Sequence, residues 1–171
     1  MLKSSVVSSR DPNDEPTQWL DADQQQAWIN LVKVLLALPG ALESQLLRDA
    51  DLTLLGYMIL ARLRVVPEQT LRMSQIAEMA NGSLPRISHA VARLEDRGWV
   101  SRAVRTGHGR RFTEATLTDA GRAHLEASAP AHVAAVRRLV VEPLGQRFVP
   151  FGRDAQRIVE ALGLPTEVLN P

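Results

Sequence analysis

The spacing of apolar residues between Leu71 and Thr118 admits few folds: two short helices, then a two-stranded hairpin loaded with arginine. In the segment Ser83–Arg97, Leu84, Ile87, Val91 and Leu94 recur at steps of three, four and three, the period of a helix with one buried stripe. Off that stripe stand Arg86, Ser88, His89, Arg93 and Arg97, with small Ala92 between them. A helix that buries one side and offers Arg, Ser and His on another can read base edges in a DNA major groove.

Charge supports a localised polyanion-binding surface. The net charge is only +1, but Leu84–Phe112 holds seven arginines against two acids, a local +5 in 29 residues. Asp11–Asp23 carries five acids and no Lys or Arg. The bland alternative, a solvated charged face, does not explain why the charge coincides with a helix-turn-helix pattern. With 45% hydrophobic residues and 4% aromatics, a chain of 171 residues supports one core, or two small lobes sharing one, built from Leu, Val and Ala. That composition favours a mainly α fold.

Cysteine is absent, which excludes disulfides, thiolate metal sites and thiol redox sensing. No uninterrupted apolar run approaches the ~20 residues of a membrane span, and Met1–Arg10 lacks the apolar stretch of a secretory signal. The expectation is a cytoplasmic protein with no membrane partner.

Four regions follow. Residues 1–18, polar and broken by Pro12 and Pro16, read as a flexible tail. Residues 19–50 read as a long amphipathic helix capped by Asp21 or Asp23, ended or kinked at Pro39-Gly40. Residues 51–118 hold a helix capped by Thr53 (Leu54–Val65), a short helix capped by Ser74 (Gln75–Ala80), the Asn81-Gly82-Ser83 turn, and the arginine-bearing helix. Its strands span Trp99–Val104 and Thr113–Leu117, joined by a flexible tip, Arg105–Phe112. Residues 119–171 begin with a helix capped by Thr118, running to about Val141 with a kink at Pro130. A connection, Glu142–Gly152, leads to a last helix that stops at Gly163-Leu164-Pro165. The terminal helices carry apolar faces too large for the central module to cover, and a second copy is the simplest cover.

Leu52-Thr53-Leu54-Leu55-Gly56-Tyr57, Met73-Ser74-Gln75-Ile76-Ala77, Arg93-Leu94-Glu95-Asp96-Arg97-Gly98-Trp99-Val100 and Leu117-Thr118-Asp119-Ala120-Gly121, bracketing an arginine-rich hairpin, resemble the MarR family of bacterial transcriptional regulators. The resemblance covers roughly residues 20 to 165. It implies a homodimer with one winged helix-turn-helix per subunit and long dimerisation helices at both ends. The helix Ser83–Arg97 would enter the major groove of a pseudo-palindromic operator, and the wing the adjacent minor groove. Members commonly act as repressors, and many release double-stranded DNA when a small aromatic or phenolic compound binds between the dimerisation and DNA-binding regions. The family's wing usually contains Asp-x-Arg. Here the matching stretch is His108-Gly109-Arg110 or Gly109-Arg110-Arg111, without an acid, so which of Arg110 and Arg111 inserts stays open.

The expected DNA-contacting residues divide by location. Arg86 and His89 lie near the start of the recognition helix; Arg86 either pairs with guanine or clamps phosphate. Pro85 and Ser88 contact phosphate or a thymine methyl, or merely shape the helix start, and Arg93 holds phosphate or an intramolecular acid. On the wing Arg105, His108, Arg110 and Arg111 face backbone or minor groove, with Arg102 on the outer face. Ser74 and Gln75 sit at a helix start, where free N–H groups meet a phosphate. Arg97, at the helix C-terminus, is left off this list.

Trp28 and Tyr57 are the candidates for lining an effector pocket, or else they pack core or dimer interface. His124 and His132 stand eight residues apart, about 12 Å along a helix and too far to share one ion. Neither a metal nor another cofactor is expected, and no Ser, His and acid grouping marks a hydrolase. The rival reading is a winged-helix protein-interaction module without sequence-specific DNA binding.

Overall fold

A computed structural model describes residues 17–107 and 109–164; residues 1–16 of the expected tail, His108 and residues 165–171 lie outside the described residues. The chain divides into two units, the first ending at Leu36 and the second starting at Ala37.

In the first unit Asp21, not Asp23, starts helix α1 (Ala22–Ala50). Its Oδ1 accepts from the Gln24 N–H (2.8 Å), and Gln24 Oε1 accepts from the Asp21 N–H (3.1 Å), a reciprocal cap. No described side chain before Ala37 is buried, and Trp28, Ile29, Val34, Leu35 and Leu36 stand exposed. The helix continues through Pro39 to Ala50. One 18-residue window reaches a mean hydropathy of 1.3, so by length and composition alone α1 could cross a membrane. The sequence expectation concerned uninterrupted apolar runs, and Lys33 interrupts this one.

The second unit builds its core from the last turns of α1, helix α2 (Leu54–Val65), strand β1 (Thr70–Arg72), helices α3 (Met73–Met79) and α4 (Leu84–Asp96), strands β2 (Val100–Gly107) and β3 (Arg110–Leu117), and helix α5 (Asp119–Val136). Leu46, Leu52, Ile59, Leu60, Leu63, Ile76, Ile87 and Val91 are fully buried within it. Thr53 caps α2, its Oγ1 accepting from the Gly56 N–H at 3.0 Å. Arg72, rather than Ser74, occupies the N-cap of α3, and Gln75 Oε1 accepts from its N–H at 2.9 Å.

The buried stripe of α4 is Ile87, Ala90, Val91 and Leu94, while Leu84 is 55% exposed. Leu84 opens the helix, and side chains lean toward the helix N-terminus, so it projects past the last packed turn. The hairpin is also longer than expected. Residues 105–107 and 110–112 pair as strand, from Val100 opposite Leu117 to Gly107 opposite Arg110. Exposed arginines had hidden the alternation there. The expected two-stranded hairpin is a three-stranded antiparallel sheet ordered β1-β3-β2, with Leu71 opposite Ala115.

The return from β3 into α5 is tightly fixed. Gly98, with φ +72, ends α4 as the Trp99 N–H donates to Leu94 O (2.9 Å). The Thr118 N–H then donates to Trp99 O (3.1 Å), and the Thr118 hydroxyl to Gly98 O (2.7 Å). That hydroxyl oxygen also accepts from the Gly121 N–H (3.0 Å), capping α5. A Cβ on Gly121 would lie 2.1 Å from Trp99 O and 2.9 Å from Leu117 Cδ1, so only glycine fits.

After α5 the chain winds through a π-helical stretch (Arg137–Val141), the single turn α6 (Glu142–Leu144) and a 3-10 turn (Gly145–Arg147) into α7 (Phe148–Ala161). The expected connection through Gly152 is therefore mostly helical. Pro150 falls in the first turn of α7, where its missing N–H breaks no helical hydrogen bond. The expected stop at Gly163 holds, with φ +68 and the Leu164 N–H on Val159 O at 3.2 Å.

Candidate nucleic-acid interface

Burial of Ile87, Ala90, Val91 and Leu94 turns Pro85, Arg86, Ser88, His89 and Arg93 of α4 to the outside, all exposed. Arg86, His89 and Arg93 recur at three and four residues and so share one face. They line an open cleft of about 500 Å³ together with Glu43, Thr53 and Leu55. Sequence reasoning missed those three; the capping role of Thr53 was the available signal, placing the start of α2 but not its neighbour.

The seven arginines of the basic segment fall into two groups. Three are engaged: Arg97 with Asp51, Arg102 with Glu95, and Arg105 with Glu114 (3.5 Å). Arg86, Arg93, Arg110 and Arg111 have no acidic partner among the described residues. Arg102 ties β2 to the last turn of α4, donating to Glu95 through its backbone N–H (3.1 Å) and Nε (2.7 Å). The Arg102 side-chain hydrogen bond holds the Glu95 carboxyl below its usual pKa.

Cross-strand pairing fixes which wing residues share a face. Arg105 lies opposite Phe112, Gly107 opposite Arg110, and Arg72 opposite Glu114, so Arg72, Arg105, Arg110, Phe112 and Glu114 occupy one side. There Arg72 places its guanidinium 4.1 Å from the Phe112 ring centre. Arg111, opposite Thr106, points to the other side. The acid absent from the wing tip is matched in sign by Glu114, lower on the strand, which engages Arg105 and not Arg110. Ser74 and Gln75 are exposed on the first turn of α3, where Gln75 Oε1 accepts from the Arg72 N–H.

In the second unit a cavity of about 520 Å³ lies between α2 and α5, lined by Tyr57, Ala61, Arg64, Leu125, Pro130 and Val133 among others. Burial raises the Tyr57 phenol above its usual pKa, opposed by the nearby Arg64 charge. Trp28, proposed with Tyr57 from the sequence, is 53% exposed in the first unit. The histidines have structural partners that periodicity could not reveal. His132 Nδ1 lies 3.1 Å from Gln45 Oε1 and its ring 4.3 Å from that of Tyr57; burial lowers its pKa. His124 Nε2 lies 2.8 Å from Ala50 O, its ring stacked 3.9 Å from Trp99. Among the described residues no His or acid cluster could hold a metal.

The fold has close counterparts among solved structures. Sco3205 from Streptomyces coelicolor, a MarR family transcriptional regulator solved in complex with DNA, is 36% identical with a TM-score of 0.79, the match covering 86% of this chain and 96% of Sco3205. The chain belongs to the MarR family of transcriptional regulators. AbsC, another MarR family regulator from Streptomyces coelicolor, is 31% identical with a TM-score of 0.76, over 85% of this chain and 98% of AbsC. CouR from Rhodococcus jostii RHA1, solved with p-coumaroyl-CoA bound, is 20% identical (TM-score 0.65, covering 83% of this chain and 94% of CouR) and shares the fold. Neither a family model nor a curated protein sequence matches the chain. In this MarR-family chain α3 and α4 are the helix-turn-helix, and β2 and β3 the wing.

Proposed function

We propose that the chain is a cytoplasmic, homodimeric, sequence-specific regulator that binds a pseudo-palindromic operator on double-stranded DNA and represses transcription there. One observation carries this reading: the arginines of the basic segment without acidic partners among the described residues stand on the outer face of α4 and at the wing tip. The solved DNA complex of Sco3205 supports it. Arg86 reads a guanine through O6 and N7, a contact worth about 1–3 kcal/mol in discrimination. His89, Ser88 and Pro85 line the same approach, and Arg93, Ser74 and Gln75 meet phosphates. Arg110 and Arg111 serve the minor groove, with Arg105 and His108 along the backbone.

The exposed Trp28, Leu35 and Leu36 of α1 and Val149, Phe151 and Ile158 of α7 need cover. A second copy supplies it more readily than a bilayer, because Lys33 near the middle of α1 would cost roughly 2.5–3.5 kcal/mol at a bilayer centre. A two-fold dimer then sets half-sites about one helical turn apart, some 34–36 Å. The α2–α5 cavity is the place for a small aromatic or phenolic effector, with Tyr57 as its ring partner.

Selection of duplexes from a random library, with light scattering of the free protein, tests the reading. Enrichment of an inverted repeat by a dimer is expected. A monomer at micromolar concentration would end the two-fold arrangement. No enriched sequence would leave the winged-helix interaction module in its place.

A further inference from the structure

Asp51 links α1 to α2 in a backbone conformation that few residues adopt, φ +52. Its carboxylate pairs with Arg97, the C-cap of α4. The Arg97 guanidinium stands 5.8 Å from the Trp99 ring centre, Trp99 stacks on His124 at 3.9 Å with planes 11° apart, and His124 Nε2 bonds to the carbonyl of Ala50, the neighbour of Asp51. The contacts close on themselves: the α1–α2 junction, the end of α4, the residue before β2 and the second turn of α5 are joined in one ring.

We propose that this ring is a clasp that sets the pitch of α4 against α1 and α5, making Asp51, Arg97 and His124 positioning residues for DNA reading. The proposal rests on the DNA-binding reading given above. The pair itself is exposed on both sides, and an exposed ion pair adds little to stability. Its effect lies in direction: it fixes the end of the helix whose opposite end carries Arg86 and His89. The turn of α5 bearing His124 also presents Leu125 and Glu126 to the α2–α5 cavity, so a ligand lodged there presses on the clasp through adjacent residues.

Asp51→Asn and His124→Phe separate this role from simple electrostatics. Asparagine tolerates the left-handed backbone, and removing an acid beside a basic surface should by charge alone tighten DNA binding. The clasp requires the opposite, a roughly three- to tenfold weaker operator affinity with an unchanged salt slope. His124→Phe keeps a ring on Trp99 but loses the donor to Ala50 O, and should weaken binding comparably. Because both variants open one ring, the double variant should lose little more than the worse single one. Without DNA, hydrogen exchange should accelerate over Arg93–Arg97 in both variants while the core of α2 stays protected. Equal or tighter binding by Asp51→Asn, additive losses, or unchanged exchange at the end of α4 would overturn the clasp. Failure of the unmodified protein to select any sequence would instead remove the DNA-binding reading, and the exchange measurement would still decide whether the ring restrains α4.

Discussion

Gly121→Ala should destabilise this protein although alanine is the better helix former. Gly121 sits in the first turn of α5, where exchanging glycine for alanine ordinarily gains about 1 kcal/mol. Here the new Cβ would fall 2.1 Å from Trp99 O and 2.8 Å from Trp99 C, both backbone atoms that no rotamer change can move aside. Relief needs about 1 Å of separation between α5 and the start of β2. That movement strains the Thr118 N–H bond to Trp99 O and the Thr118 hydroxyl bond to Gly98 O, 3.1 and 2.7 Å long. Overpacking costs about 1–3 kcal/mol and each weakened hydrogen bond about 1 kcal/mol, leaving a net loss of roughly 2–4 kcal/mol after the propensity gain. At this size 1 kcal/mol moves Tm by roughly 2–4 °C, so a drop of about 5–15 °C is expected by circular dichroism at fixed protein concentration. Gly40 provides the control. It is also helical, but a Cβ there meets nothing within 4 Å, so Gly40→Ala should be neutral or slightly stabilising. A Gly121→Ala protein melting at or above the unmodified one would refute the close approach on which this reasoning depends.

Other expectations follow from the same geometry. Replacing Arg110 and Arg111 together by alanine should weaken binding to every duplex and reduce the salt slope by up to about 2, read by fluorescence anisotropy across salt concentrations; unchanged affinity would remove the wing from the interface. Arg86→Ala should instead relax preference at one base pair per half-site, by about 1–3 kcal/mol, in a competition assay against singly substituted operators. Burial lowers the His132 pKa, so the unfolded chain takes up the proton first as pH falls. Its stability contribution is complete above the unfolded value of about 6.5 and is lost as pH falls through the lowered folded value. Thermal melts from pH 7.5 to 5 should show this loss, and His132→Gln should lack that increment.

How far this fold could be read from the chain depended on how local each signal was. Thr53, Thr118 and Asp21 cap their helices through partners three residues away, and such caps are visible in sequence. Strand β1 is three residues long and has no period of its own; Thr70–Arg72 becomes a strand only because Glu114–Thr116 lies beside it. The same holds for the histidines. His124 finds Ala50 O across 74 residues and His132 finds Gln45 across 87, so spacing could exclude a shared metal ion but could not supply their partners. Leu84 shows the limit of periodicity itself, which says which residues align but not where packing stops.

Charge counting shows the same limit from another side. The local +5 of Leu84–Phe112 pointed to the right segment, yet it treated all seven arginines alike. Arg97, Arg102 and Arg105 answer Asp51, Glu95 and Glu114, two of which lie outside that segment and so escaped the count. Exposed pairs of this kind contribute little stability, but each holds a piece of backbone: the end of α4, the start of β2 and the stem of the wing. Arg86, Arg93, Arg110 and Arg111 then stand on a framework that the other three have already oriented. Long-range attraction to phosphate needs only the sum of charges, whereas reading a sequence needs some of those charges held still. A substitution among the paired arginines should therefore cost discrimination between duplexes more than it costs affinity for duplex in general, and the reverse should hold at Arg110 and Arg111.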